Sequence, residues 1–460
     1  MPKNKTNAPN TRIFFIYFTK ISFRLNLFNL SLLLNGFPIK KAKSTLKRIH
    51  GKNEADFEAY ILQKKKDIFN YHIQNNTFYQ NIAKNATVTN WKSIPVMTKR
   101  DLQHPLSQRL CKDYTTGNVY INKTSGSSGD PFVFAKDKFC HALTWSVIQN
   151  RFGWFGLDFN TSKQARFYGI PLDKKGYYKE RFKDALSNRH RFSVFDLSDV
   201  AFEKCLKKFK NTPFDYINGY TSAIVQFAKY LEKKNIVLKQ VCPTLKACVV
   251  TSEMLFEMDK KLLEKQLDVP VVNEYGASEL DLIAFQNPED LWQVNSETLF
   301  VEILDQQDNI LPNGEEGRIV ITSLYNKAHP FIRYDIGDIG VLSKKSTLQK
   351  PILEKLIGRT NDIAILPSGK KAAGLTFYYI TKSIIEDDGN VKEFIIEQHT
   401  AETFKVIYVS ATAISEENKE NIKIQMENYL EKGLTIIFEK QDKIERSKSG
   451  KLKQFRSLLN

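Results

Sequence analysis

The spacing of apolar residues changes along the chain, and each change marks a different kind of structure. From about residue 50 to 110 the pattern predicts helices. From about 115 to 345, short apolar runs such as Lys246 to Val250 alternate with helical stretches, which is the pattern of α/β layers. Leu299 to Leu304 and Arg318 to Thr322 flank a turn-rich segment and predict an antiparallel hairpin. The fold class predicted for this part is α/β.

Beyond Gly358 the pattern predicts a smaller α+β unit. Val391 to Ile396 and Phe404 to Val409 predict strands, and Ser415 is placed to cap a helix that Gly433 would end.

The change near Gly358 predicts two domains. The N-terminal domain would span 1–357, with a helical region up to about residue 110, and the C-terminal domain would span 358–460. A chain of 460 residues is too long for one ordinary core, so two or more domains are expected in any case. The expected shape is a large body with a small lid, and "the lid" here means residues 358–460.

Apolar residues near the N-terminus recur at helical spacing. One face of the predicted helix would consist of Ile21, Leu25, Phe28 and Leu32. We expect an amphipathic helix that packs on the body, with contact to a membrane surface as the alternative. The apolar run that precedes it is too short for a signal peptide and has no small-residue cleavage site after it.

Composition limits the classes of protein that fit. With 42% hydrophobic and 26% charged residues the chain is predicted to be globular, and its formal net charge of +17 suits ATP, coenzyme A, nucleic acid or an acidic membrane. The alternative explanation of this charge is lysine spread over solvated faces, without a specific anionic partner. The five cysteines form no Cys-x-x-Cys pair and the seven histidines no His-Glu-x-x-His motif, which argues against a disulfide framework and a zinc site. We expect a cytoplasmic protein.

The strongest local motif is a tract of hydroxyl residues and glycines, Thr124-Ser125-Gly126-Ser127-Ser128-Gly129. Glycines let the backbone approach a polyphosphate, and the N–H and O–H groups can donate to it. No Gly-Lys-Ser/Thr follows, so this is not a Walker loop. A flexible Ser/Gly loop is the alternative.

Four further motifs follow in order. The segment Asn273 to Glu279 comes after the apolar Val271-Val272, where a carboxylate past a strand end could hold Mg²⁺ against phosphates, although Ser278-Glu279 could also simply start a helix. In Arg333 to Asp338 an aspartate on a turn could accept both hydroxyls of a ribose. Gly358 to Asp362 lies at the predicted domain boundary, and Arg446 to Lys451 lies near the C-terminus. Each of these is weak alone.

Taken together and in this order, the five motifs resemble those of the adenylate-forming superfamily of acyl-CoA synthetases, peptide-synthetase adenylation domains and luciferases. Within it the chain looks like the phenylacetate-CoA ligase branch, and most like the CapK-type proteins of capsular polysaccharide biosynthesis. Supporting stretches are Asn218 to Ser222, Val250 to Leu255 and Phe331 to Tyr334. The resemblance covers nearly the whole chain.

The resemblance implies a nucleotide-binding role for several motifs. The phosphates of ATP would be held by Thr124, Ser125, Gly126, Ser127, Ser128 and Gly129. The adenine and acyl pocket would be lined by Thr251, Ser252, Glu253, Asn273, Glu274 and Tyr275, and Gly276 and Ser278 would complete the nucleotide site. Tyr168 and Tyr220 are candidate walls of the acyl pocket, together with Ser252.

Three residues would carry the chemistry that the resemblance implies. Glu279 would ligate Mg²⁺, Arg359 would contact the ribose or a phosphate, and Lys451 would reach into the site from the lid. Asp338 would bind the ribose hydroxyls. Asn361 and Asp362 would form the hinge of the lid. Asn361 departs from the family's usual hinge aspartate, and Phe132 stands where many acyl-CoA synthetases carry a lysine.

The resemblance implies an ATP-dependent ligase that converts a small carboxylic acid to its acyl-adenylate and transfers the acyl group, with coenzyme A as the expected acceptor. In a second hypothesis, the acyl group is transferred to a sugar amine or hydroxyl, or to a carrier. A third reading is a non-enzymatic basic binder on a degenerate fold. Because no aromatic-basic RNA motif is visible, we expect no nucleic-acid partner.

Overall fold

The computed structural model describes residues 27–124, 132–169, 174–359, 363–369, 371–373, 377, 380–381, 391–446 and 452–459. The helices of the first third are α1 Leu27–Leu34, α2 Ile39–His50, α3 Glu54–Asn75, α4 Thr77–Ile82 and α5 Leu106–Arg109, with a 3₁₀ turn at Trp91–Ser93. Asn53 caps α3 by accepting a 2.9 Å bond from the backbone N of Asp56. Helices thus dominate residues 27–82, whereas between Ile82 and Leu106 the predicted helical region contains only the 3₁₀ turn.

Helix α1 packs on the body of the protein. The ring of Phe28 lies 5.0 Å from that of Trp145 and 5.2 Å from that of Phe159. The backbone N of Asn29 donates to Oδ1 of Asn160 at 3.1 Å. Ile21 and Leu25 of the predicted apolar face lie outside the described residues. In the described part of the chain, every helix is too short or too polar to cross a membrane.

A seven-stranded sheet forms the centre of the body. A short antiparallel pair precedes it, β1 Tyr120–Lys123 and β2 Val133–Lys136. The sheet consists of β3 Gln164–Phe167, β4 Arg189–Phe192, β5 Tyr216–Tyr220, β6 Ala247–Thr251, β7 Val271–Ala277, β8 Asp281–Gln286 and β9 Trp292–Val294. The strand order is β4-β3-β5-β6-β7-β8-β9, parallel from β4 to β7 and antiparallel beyond.

Helices cover both faces of this sheet, as parallel strands require. The helices that follow β2 are α6 Lys138–Gly153, α7 Lys174–Leu186, α8 Asp199–Lys210, α9 Thr221–Lys233, α10 Leu238–Val241 and α11 Glu257–Leu267. Apolar residues of α6 pack with Val249 and Val272 on one face. Residues of α8, α9 and α11 pack with Ile217 and Val250 on the other. The expected α/β class is confirmed.

A second sheet is antiparallel and packs near the N-terminal helices. It consists of β10 Leu299–Leu304, β11 Glu316–Ser323, β12 Tyr334–Leu342 and β13 Leu353–Arg359 in that order. Leu299 pairs with Ser323 and Leu304 with Arg318, so the predicted hairpin is confirmed.

The C-terminal part forms a third sheet beyond the small hairpin of β14 Ile363–Ile365 and β15 Lys371–Ala373. Its strands are β16 Val391–Gln398, β17 Thr403–Ser410, β18 Thr435–Lys440 and β19 Phe455–Ser457, in the order β18-β17-β16-β19. Between β17 and β18 lies helix α12, Glu416–Tyr429, and Ser415 caps it by accepting from the N of Asn418 at 3.2 Å.

The predicted end of α12 was wrong by a few residues. The helix stops at Tyr429 rather than at Gly433. Gly433, with φ +84°, instead lies in the turn that leads into β18, where its left-handed backbone suits a glycine.

Candidate active site

Several of the predicted site residues lie at the carboxyl ends of the parallel strands. Tyr220, Thr251 and Glu274 lie side by side on β5, β6 and β7. Ser252 follows β6 directly and has a left-handed backbone, with φ +70°. In open α/β sheets, ligands bind outside this edge.

We expected the motif from Asn273 to Glu279 to begin past the end of a strand, and this expectation was wrong. Strand β7 continues through Ala277, because β8 pairs with it antiparallel from Glu274 onward, where the parallel partner β6 ends. Gly276 is needed here, since a Cβ atom would lie 2.5 Å from the carbonyl oxygen of Asp281. Ser278 and Glu279 then lie in the turn before β8, and they do not start a helix.

Two tyrosines join this motif to the one at 333–338. The hydroxyl of Tyr334 donates to Oε1 of Glu279 at 2.9 Å, and the hydroxyl of Tyr275 donates to Oδ2 of Asp338 at 2.6 Å. Burial, and then the charge of Glu279, raises the pKa of Tyr334, so Tyr334 remains a donor. The bonded residues are 55 and 63 positions apart in sequence, and the two motifs thus form one cluster.

Glu279 is suited to a magnesium ion that phosphates help to hold. It is only 7% exposed and lies in the turn beside the strand edge. The described residues contain no group of three or more His, Cys, Asp or Glu side chains that could hold a metal ion. Mg²⁺ is commonly bound by one or two carboxylates plus substrate phosphates, so a single carboxylate fits a shared site and does not fit an all-protein one.

Arg359 and Asp338 lie on neighbouring strands. Arg359 is the last residue of β13, and its Cα is the antiparallel partner of that of Asp338. Two residues that the resemblance assigns to the ribose are therefore adjacent in the backbone of the second sheet.

The hydroxyl- and glycine-rich loop connects β1 and β2. Thr124 closes its base, since its Oγ1 accepts from the N of Phe132 at 3.1 Å and its N donates to the carbonyl of Phe132 at 2.9 Å. Phe132 is buried against Phe331 and Phe134, a setting that suits an apolar residue at this position. The remaining loop residues, namely Ser125, Gly126, Ser127, Ser128 and Gly129, lie outside the described residues, as do Asn361, Asp362 and Lys451.

Glu253 bridges the body and the C-terminal segment. Its Oε2 accepts from the N of Ser222 at 2.7 Å, and its Oε1 accepts from the N of Leu452 at 2.9 Å. Arg446 reaches the same junction, donating to the Oγ of Ser222 at 3.3 Å and pairing with Glu393 at 2.7 Å. The sequence motif suggested pocket lining for Glu253 and gave no sign of this bridge.

Tyr168 and Tyr220 lie together, as expected for two walls of one pocket. Their ring centroids are 4.8 Å apart, and the hydroxyl of Tyr168 donates to Oδ1 of Asn218 at 3.2 Å. The guanidinium of Arg166 stacks on the ring of Tyr168 at 4.2 Å. Sequence reasoning missed Arg166, because strand β3 carries no recognisable motif.

Glu274 is a carboxyl group in an apolar setting. Burial raises its pKa to about 7, against smaller lowering effects of the Thr251 hydroxyl, which donates to it at 3.0 Å, and of the positive charge of Arg166. At neutral pH it is therefore partly protonated and can act as a donor as well as an acceptor.

The raised pKa of Glu274 predicts a pH-dependent stability. Between the ordinary glutamate pKa of 4.5 and about 7, the folded state holds a proton that the unfolded chain releases, so stability falls as pH rises. The loss is absent below this window and complete above it. Glu274→Gln removes this loss. The free energy of unfolding of the variant minus that of wild type should therefore be about 1–3 kcal/mol larger at pH 8 than at pH 5. Unfolding by urea at both pH values is the measurement, and equal effects at pH 5 and pH 8 would contradict the assignment.

Comparison with known proteins identifies relatives but no matching family model. The chain is 25% identical over 314 residues to protein CapK of Staphylococcus aureus, covering 65% of this chain and 67% of CapK. It is 24% identical over 182 residues to the phenylacetate-coenzyme A ligase of Aromatoleum evansii, covering 38% of this chain and 40% of that enzyme. The second match thus spans less than half of the relative.

Solved structures share the fold. A 2-hydroxyisobutyryl-CoA ligase in complex with R3-HIB-AMP superposes with a TM-score of 0.66 at 14% identity, covering 88% of this chain and 90% of that one. The amide bond synthetase McbA from Marinactinospora thermotolerans has a TM-score of 0.52 at 14% identity, covering 72% and 67%. These matches and the relatives confirm the resemblance to the adenylate-forming superfamily, its phenylacetate-CoA ligase branch and CapK. They also confirm the expectation of an enzyme of the ligase class.

Proposed function

We propose that this chain, as a relative of CapK and of phenylacetate-CoA ligases, uses ATP to activate a carboxylic acid as its acyl-adenylate and then transfers the acyl group to a second acceptor. Coenzyme A is the acceptor we favour. We also propose the cytoplasm as the place of action, because ATP and coenzyme A are available there.

The observation that carries this proposal is the cluster built by the two tyrosine–carboxylate bonds. Tyr275 with Asp338 and Tyr334 with Glu279 bring the motif of β7 and the motif of β12 together beside the end of β6. Such a cluster supports a nucleotide site with ribose and phosphate contacts side by side.

In the first step, an oxygen of the acid's carboxylate attacks the α-phosphorus of ATP, and the bond from that phosphorus to the bridging oxygen breaks to release pyrophosphate. No proton moves, because a carboxylate is already ionised at pH 7. We propose that Lys451 stabilises the negative charge at the α-phosphate. Glu279 would hold Mg²⁺, whose charge offsets that of the phosphates when it is bound.

In the second step, the coenzyme A sulfur would attack the carbonyl carbon of the acyl-adenylate, AMP would leave, and the thiol proton would pass to solvent. We propose that the lid turns about Asn361 and Asp362 between the steps, and that the domains divide at residue 358. The names of the relatives that are coenzyme A ligases support this acceptor.

A second candidate keeps the first step and changes the acceptor to an amine or hydroxyl, such as that of a sugar, or to a carrier. The structural likeness to an amide bond synthetase is the reason to retain this second candidate. The relatives that are phenylacetate-coenzyme A ligases do not support a purely non-enzymatic role.

The test of the proposal is exchange of labelled pyrophosphate into ATP across a panel of carboxylic acids. We expect exchange that depends on the acid and on Mg²⁺. With the best acid, adding coenzyme A should give AMP and a thioester. If the adenylate accumulates and only an amine, alcohol or carrier discharges it, the second candidate is right, and absence of exchange with every acid contradicts the adenylation itself.

The Glu253 bridge predicts a positioning effect on the first step only. Glu253→Gln weakens the contact to Leu452, the residue after Lys451, so we expect pyrophosphate exchange to fall about tenfold. Transfer from a synthetic acyl-adenylate should stay within about twofold of wild type, because the bridge is not needed once the lid has turned. The matched control is Glu257→Gln, because Glu257 is an exposed carboxylate at the start of α11. Equal losses in both steps would indicate a merely structural role.

A further inference from the structure

One face of the central sheet changes from apolar to polar at its carboxyl edge. Successive residues of a strand point to opposite faces, so Asn218 shares its face with Tyr216, and Thr251 with Val249. Tyr216 and Val249 pack against α6. Arg166 is the register partner of Asn218 on β3, which places its side chain on this same face.

Arg166 is a half-buried cation with no carboxylate at ion-pair distance among the described residues. Its Nε atom is buried and has no hydrogen-bond partner. Asp184, a nearby carboxylate, already pairs with Arg189 at 2.5 Å and Arg191 at 2.8 Å. Glu274 accepts from the hydroxyl of Thr251. Among the described residues, then, the guanidinium of Arg166 stacks on Tyr168 and makes no ion pair, while Glu274 and Asp184 act on it only through their charge.

A guanidinium whose Nε atom has no hydrogen-bond partner costs free energy in apolar surroundings. A guanidinium taken from water needs hydrogen bonds or a negative partner, and burial here lowers the pKa of Arg166. The planar fork of arginine matches a carboxylate with two parallel hydrogen bonds. Arg166, which stacks on Tyr168 beside Tyr220, therefore offers donors to an anion at this edge of the sheet.

We propose that Arg166 binds a second carboxylate of the acid substrate, so that the acid activated at this site is a dicarboxylic acid. One carboxylate is activated at the adenylate site, and the other lies against Arg166. This inference rests on the proposed function and names its substrate class. Asn218 is the register partner of Arg166, and Glu274 lies within reach of its charge, so both add polar groups to this edge of the sheet. An acid with an apolar far end would leave the arginine unpaired.

The test compares acids in matched pairs, each linear dicarboxylic acid of three to eight carbons against the monocarboxylic acid of equal length. In pyrophosphate exchange, kcat/KM for the best dicarboxylic acid should exceed that for its monocarboxylic partner at least tenfold. Arg166→Gln should reduce the former about ten- to hundredfold and leave the latter nearly unchanged. Lys183→Gln, which removes an exposed charge of α7, is the control and should have neither effect.

A binding measurement without turnover separates the two proposals. The best dicarboxylic acid alone should raise the thermal midpoint of wild type and not that of Arg166→Gln. If wild type exchanges better with monocarboxylic acids and Arg166→Gln keeps that preference, the dicarboxylate site is wrong while adenylation stands. If the dicarboxylic acid stabilises wild type through Arg166 but no acid supports exchange, the anion site stands and the proposed adenylation fails.

Discussion

Lys451→Ala is expected to slow pyrophosphate exchange about 10²–10³-fold, the loss typical for a preorganised donor removed from a transition state. The same variant should still use a synthetic acyl-adenylate in the transfer step, because the lysine would leave the site when the lid turns. The two half-reactions are measured separately. The residue after it, Leu452, donates its backbone N–H to Glu253 of the body at 2.9 Å.

Lys370 provides a matched control in a similar Ser-Gly-Lys context. It lies outside the described residues, but its neighbour Gly369 has φ +81° and open space around the position of a Cβ. Lys370→Ala should leave exchange nearly intact and, if it affects anything, slow the transfer. A Lys451→Ala protein that adenylates at the wild-type rate would overturn the role assigned to this lysine.

Glu279→Gln is expected to lower pyrophosphate exchange about 10²–10³-fold at saturating ATP. The amide oxygen can still accept from Tyr334, so the fold should be retained, while the negative charge that would hold Mg²⁺ is lost. The exchange rate should be measured across a Mg²⁺ titration, where the variant should need a higher concentration for half-maximal rate.

An exposed carboxylate gives the control for this charge. Glu316→Gln on β11 removes the same charge outside the cluster and should leave both the rate and the Mg²⁺ dependence unchanged. Full exchange by Glu279→Gln at the Mg²⁺ concentration that saturates wild type would rule out the metal-ligand assignment.

The elements that depend on local pattern could be predicted from the sequence. The hairpin of β10 and β11 follows from two apolar runs around a turn, and the start of α12 follows from the hydroxyl of Ser415. The sheet order β4-β3-β5-β6-β7-β8-β9 could not be predicted in this way, because it depends on packing between distant segments. The same reason explains the error at β7, whose extension to Ala277 is set by its pairing with β8.

The site was predictable only where motifs exist. The order of the motifs indicated Glu279 and Asp338, and the structure brings both into one cluster through Tyr334 and Tyr275. Arg166 gave no signal, since an arginine in a four-residue strand usually faces solvent. Its significance appears only when register places it beside Asn218 and Tyr168.

The parallel pairing of β19 with β16 has a consequence for the order of folding. Glu397 and Arg456, which join these strands, are 59 residues apart in sequence, whereas β16 and β17 form a local hairpin. Because loop closure is slower for distant contacts, we expect the hairpin to form early and β19 to join last. Adenylation, which we propose to need Lys451 shortly before β19, would thus lag behind the appearance of secondary structure during refolding.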